Sequence, residues 1–149
     1  MRMRNALTAA AAGAVMLATA GAAWAGAIED RQAAMKEVGK AMGELAKIAK
    51  KEAPFDAAVV KANAELIAQK LESAKAMFPD DSKPGGAVET WAKAEIWTDR
   101  ATFDAADAKA HEAALKLAAV TDEAAFGAAL GELGGGCKGC HEKFRRPKE

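Results

Sequence analysis

Apolar residues recur along this chain at steps of three and four, the period of amphipathic helices rather than of strands. The first such stretch spans about residues 28–51, with Glu29 and Asp30 in its opening turn and Pro54 beyond its end; Met35, Val38, Met42, Leu45 and Ala49 form its stripe. A second starts near Pro54–Asp56 and ends at Phe78, where Pro79 stops it; its stripe is Val59, Ala62, Leu66, Ile67, Leu71, Ala74 and Met77. Residues 79–90 carry Pro79, Pro84, Gly85 and Gly86 and read as the longest loop. A third helix is expected from Trp91 or Ile96 to Val120, with Phe103, Ala106, Ala110, Ala114, Leu117 and Val120 inward. Thr121 and Asp122 then offer an N-cap for a fourth, which reaches Arg146 before Pro147 and points Phe126, Leu130, Leu133, Cys137, Cys140 and Phe144 inward. Four stripes of similar length joined mostly by short links predict an all-α, antiparallel up-down four-helix bundle.

The N-terminus breaks this pattern. Arg2 and Arg4 precede an apolar run from Ala6 to Ala20, and Ala23-Trp24-Ala25 has the small-x-small form of a cleavage site. A membrane anchor is the competing reading. The run is interrupted by Thr8, Gly13 and Thr19, whereas a span needs about 20 strongly apolar residues. Residues 1–25 are therefore expected to be a cleaved signal peptide, and 26–149 a single domain exported to a periplasm.

Composition agrees with helices and removes other classes. Of 149 residues 41 are alanine, and only 5% are aromatic, which excludes an all-β sandwich. Charges balance at 21 basic against 21 acidic, so no partner held mainly by charge, nucleic acid included, is indicated. Large apolar side chains are few for a core of this length. Alanine at many stripe positions brings helices close or leaves room for a prosthetic group.

One motif carries chemistry. Cys137-Lys138-Gly139-Cys140-His141 is C-x-x-C-H, the attachment sequence for c-type haem. On a helix the positions i, i+3 and i+4 share a face, so two thiols can add to the vinyl groups of one porphyrin while the imidazole meets its iron. A thioredoxin-like reading lacks the strand that precedes such motifs. A zinc reading lacks ligands, since the only other histidine, His111, lies on the previous helix beside its stripe and reads as a surface residue. A plain disulfide leaves His141 unexplained. Gly134, Gly135, Gly136 and Gly139 surround the motif, and clearance for a flat macrocycle is expected, against a helix break. No nucleophile triad or phosphate loop emerges, so an enzyme is not expected. The basic residues Lys138, Lys143, Arg145, Arg146 and Lys148 read equally as a docking rim and as a solvated terminal turn.

A helical bundle with C-x-x-C-H in its last helix resembles the class II c-type cytochromes, cytochrome c′ and cytochrome c-556. The likeness also rests on Arg31-Gln32-Ala33-Ala34-Met35, Ala94-Glu95-Ile96-Trp97 and Phe144-Arg145. It implies one covalent haem c in the core, His141 as proximal ligand, Arg31 near a haem propionate and Arg145 beside the proximal histidine. It places Met35 on the distal face. With Met35 bound, the iron is six-coordinate and suits an electron carrier with periplasmic or membrane-bound redox partners. With Met35 unbound, the iron is five-coordinate and takes NO or CO. The expectation from sequence is ligation by Met35, with gas binding as the alternative; Met42 and Met77 read as core filler. The resemblance admits a homodimer as well as a monomer.

Overall fold

The computed structural model describes residues 22–147, with side chains from residue 26 onward; the expected leader and Lys148 thus fall outside them or at their margin. Four long helices appear, α1 (Ala22–Ala49), α2 (Ala57–Ala74), α4 (Arg100–Ala118) and α5 (Glu123–Phe144), with a single turn α3 (Glu95–Thr98) before α4. The expected third helix is therefore interrupted, because Asp99 leaves helical geometry at φ −131, ψ 54. Side-chain caps set two of the starts. Asp56 accepts the N–H groups of Ala58 and Val59, so α2 begins just after it, at the end of the expected Pro54–Asp56 start, and Asp122 accepts the N–H of Ala125 to open α5. The last turn of the expected second helix, Lys75–Met77, is 3₁₀, and a further 3₁₀ turn at Asp80–Ser82 falls within the expected loop.

α1 packs on α2, α2 on α4 and α4 on α5. The pairs Lys116–Glu132 (2.8 Å) and Asp99–Lys143 (2.8 Å), with the Ala110–Gly136 contact between them, run in opposite residue order, so α4 and α5 are antiparallel. Leu45, Val60, Ile67, Leu117 and Leu133 are completely or almost completely buried at the centre. α4 contributes Ala110, Ala113 and Ala114 there, so the middle of the bundle is closely approached helix backbone. By contrast α1 and α5 touch only sparsely, leaving one seam of the bundle slack. No described helix is long and apolar enough to cross a membrane.

The stripes sit a residue away from several expected positions. On α1 the buried line is Ile28, Arg31, Ala34, Val38, Ala41, Leu45 and Ile48; Met35 and Met42 flank it half-buried, and Ala49 is exposed. On α2 Val60, Ala64 and Ala68 replace the expected Val59 and Ala62, which face solvent. Periodicity fixes a face only to within about one residue where alanine occupies both edges of the stripe.

A second, aromatic cluster lies at the far end of the bundle. Phe78, Trp97, Phe103 and Phe144 meet edge to face, with Phe78–Phe103 centroids 4.9 Å apart and Phe103–Phe144 5.3 Å apart. There the end of α5 is zipped to the stretch before α3. Lys93 N–H donates to the Phe144 carbonyl at 2.9 Å and Arg146 N–H to the Trp91 carbonyl at 2.7 Å, around an antiparallel bridge of Ala92 with Arg145.

Candidate functional site

Helix α5 runs unbroken through Gly134, Gly135, Gly136 and Gly139, so the glycines do not divide it. Their roles differ. A Cβ on Gly136 would stand 3.1 Å from Cα and 3.4 Å from Cβ of Ala110, so Gly136 serves the α4–α5 approach and not the clearance expected of it. Gly134, Gly135 and Gly139 face open space, which leaves room beside the motif.

The C-x-x-C-H side chains come together as the helical spacing requires. Cys137, Cys140 and His141 are each half-buried, and both thiols are free. Cys137 packs against the main core and Cys140 against the aromatic cluster, so the motif bridges the two. Burial pushes the Cys137 thiol up, and burial, then the negative charge of Asp107, then Cys137 push Cys140 up to about 11. Both sulfurs are thus S–H at neutral pH. For His141 burial, then the charge of Arg145, lowers the pKa, which favours the neutral imidazole with a lone pair to give. Arg145 itself is exposed one turn after His141, the neighbourhood expected of it. His141 opens onto a surface depression shared with Lys93, Lys138, Glu142 and Arg145.

Arg31 is the most deeply buried charged residue among those described, only 5% exposed. Nη1 donates to the Met77 carbonyl (3.1 Å) and Ser82 Oγ (2.9 Å); Nη2 donates to the Ser82 carbonyl (3.0 Å) and Thr90 Oγ1 (2.8 Å). The guanidinium also lies 4.9 Å from the Phe78 centroid and 5.9 Å from that of Trp97. All these partners are neutral, and burial lowers its pKa. Of five guanidinium N–H donors four are used by described residues, leaving among them Nε–H and a whole positive charge for an anionic group.

Met35 is half-buried on α1, one position from the buried line, and packs against the main core. His111 is half-exposed on α4, four residues after Asp107. The basic rim is largely neutralised: Lys143 bonds Asp99 at 2.8 Å, Lys138 lies 3.6 Å from Glu142, and Arg146 donates to the Thr90 carbonyl and lies 3.7 Å from Glu89. Among the described residues no group of three or more His, Cys, Asp and Glu side chains is placed to hold a metal ion.

Two features escaped the sequence. Asp107 is a carboxylate on the inward face of α4, 6% exposed, visible in retrospect because it stands four residues after Phe103 and three before Ala110. Ser82 and Thr90, the buried acceptors for Arg31, sit in an apparently featureless loop and gave no local signal.

The comparisons with known proteins agree with one another. The sequence model described as Cytochrome C′ matches residues 26–145. Cytochrome c′ of Rhodopseudomonas palustris is 41% identical over 122 residues, covering 81% of this chain and 82% of the relative. A solved structure of cytochrome c′ from Rhodopseudomonas palustris superimposes with a TM-score of 0.76 at 40% identity, over 83% of this chain and 98% of that one. Cytochrome c-556 of Agrobacterium tumefaciens is 40% identical over 126 residues, 83% of this chain and 98% of the relative. A nitric oxide complex of a cytochrome c′ variant from Alcaligenes xylosoxidans has a TM-score of 0.72 at 31% identity, covering 81% and 94%.

Proposed function

Since the chain belongs to the cytochrome c′/cytochrome c-556 family, a family of non-catalytic haem proteins for electron transfer and gas handling, we propose that it is an exported haem protein of the five-coordinate kind. In this reading Cys137 and Cys140 hold one c-type haem covalently, His141 is the proximal ligand, and the face toward α1 accepts NO or CO. Family membership implies the haem. The residues present suit it. Two neutral, half-buried thiols and a neutral imidazole share one face of α5, the α1–α5 seam is slack, and Arg31 keeps an unneutralised charge with one spare donor.

When bound, the haem supplies a one-electron iron centre and a coordination site for small gases. The protein's own contribution is positional. Helix α5 fixes the thiols and imidazole, and the bridge of Ala92 with Arg145 holds the end of that helix. Arg31 offers Nε–H to a propionate, and the aromatic cluster keeps water from the α3–α5 end. Arg145, by its charge, favours the unprotonated imidazole at His141.

The observation that carries the five-coordinate reading is the placing of Met35 off the buried line of α1, with its side chain spent on core packing. The match to cytochromes c′, and a relative solved with nitric oxide bound, support it. The cytochrome c-556 relatives favour the second reading, in which the Met35 thioether closes the sixth position and the protein is an electron carrier. Either way the match beginning at residue 26 supports a leader over 1–25 and a periplasmic domain from there on. Carbon monoxide titration of the ferrous protein decides between them. The five-coordinate reading expects wild type and Met35→Ala to bind CO equally well; tight binding by Met35→Ala alone would establish ligation by Met35.

A further inference from the structure

We propose that Asp107 is a redox-linked proton site: when the haem held at Cys140 gains an electron from a one-electron donor, the Asp107 carboxylate takes up one proton from solvent to become a carboxylic acid. The inference rests on haem attachment at Cys137 and Cys140. Three geometric facts carry it. The antiparallel α4–α5 register, with Lys116 opposite Glu132 and Ala110 opposite Gly136, places Asp107 one turn further along α4, opposite Cys140 one turn further along α5. Its side chain is 7% exposed, and Oδ2 has no hydrogen-bond partner. Its ion-pair partner among the described residues, Lys75 Nζ, is 3.7 Å away and hydrogen-bonded instead to Glu72 at 3.1 Å.

A buried carboxylate with an orphaned oxygen is poised between charged and neutral forms, because neither is well solvated. Burial raises its pKa, against the pull of Lys75 and then His111; Glu72 and Asp104 push the same way as burial. Its charge already reaches Cys140, whose thiol it helps to raise. Once that sulfur carries the macrocycle, the same field acts on the iron. An anionic Asp107 favours the ferric state, and loss of positive charge on reduction favours the protonated acid. The two equilibria are reciprocal by linkage.

Spectroelectrochemical titration of the holoprotein across pH, with Asp107→Asn, Lys75→Gln and His111→Gln, tests this. The wild-type midpoint should fall with rising pH by about 59 mV in all, at a slope of about 30 mV per unit where it is steepest, the uptake of roughly half a proton per electron that a tenfold linkage gives. Asp107→Asn should flatten that segment and, at its alkaline end, favour the ferrous state by on the order of tenfold, 59 mV for one electron. Lys75→Gln should move the segment to higher pH, and His111→Gln should retain it. Infrared difference spectra on reduction should show a protonated carboxyl band in wild type that Asp107→Asn lacks. A haem-bearing wild type whose pH slope survives in Asp107→Asn, or does not move in Lys75→Gln, would overturn the proposal. Absence of covalent haem would overturn the attachment reading beneath it.

Discussion

Replacing Arg31 with alanine should loosen the junction between α1 and the segment before α3 more than any other single surface-to-core contact. Two carbonyls, of Met77 and Ser82, lose their guanidinium donor, at about 1–1.5 kcal/mol each. The hydroxyls suffer less, since Ser82 Oγ still donates to the Pro79 carbonyl and Thr90 Oγ1 still accepts from Ala92 N–H. Loss of the stacking on Phe78 and Trp97 adds about 0.5–1 kcal/mol per ring. Relief of the guanidinium's desolvation returns part of this. The net expectation is about 3 kcal/mol, roughly a hundredfold in the folded-to-unfolded ratio. Urea unfolding of the holoprotein, followed by far-UV circular dichroism, reads it as a lower midpoint at unchanged slope. Arg31→Lys, with one charge but no planar fork, should lose about half as much. A loss below about 1 kcal/mol for Arg31→Ala would refute the claim that its hydrogen bonds hold the junction.

Gly136→Ala should destabilise by about 1 kcal/mol, because overpacking against the Ala110 backbone at 3.1 Å outweighs the helix-propensity gain, whereas Gly131→Ala, which meets nothing within 4 Å, should gain up to about 1 kcal/mol; equal denaturation midpoints would contradict the close approach. For Asp107 the folded pKa lies above the ordinary 3.8, so the folded state binds its proton more tightly and stability falls as pH rises from 3.8 through the raised value. Asp107→Asn should therefore gain on wild type as pH is raised from 4 to 7 in paired urea titrations; a constant difference would contradict the sign. Asp56→Ala should cost about 1 kcal/mol by orphaning the Ala58 and Val59 N–H groups, measured as a lower thermal midpoint.

Much of the fold was legible because apolar periodicity is a local signal. The four long helices, Asp122 as a cap, and the C-x-x-C-H face all follow from spacing within one or two turns. What was missed depends on partners far along the chain. Arg31 is singled out in the sequence only by the resemblance, as a residue near a haem propionate, and its acceptors Ser82 and Thr90 lie 51 and 59 residues away. Asp107 has the spacing of an inward residue between Phe103 and Ala110, but its depth depends on the packing of α2 and α5 on α4. Gly136 reads like its neighbours, and its separate role depends on one backbone of α4. The choice between a bound and an unbound Met35 turns on about one residue of helical phase, a finer distinction than a stripe of mixed Ala and Met can express.

The central claim is that Cys137 and Cys140 carry haem covalently. Acidified-acetone extraction of protein purified from a host able to mature c-type cytochromes, followed by intact mass spectrometry, tests it most directly. The account predicts that one haem stays with the polypeptide in wild type, and that a Cys137→Ala, Cys140→Ala double variant releases it. Complete extraction of haem from the wild-type chain would contradict it.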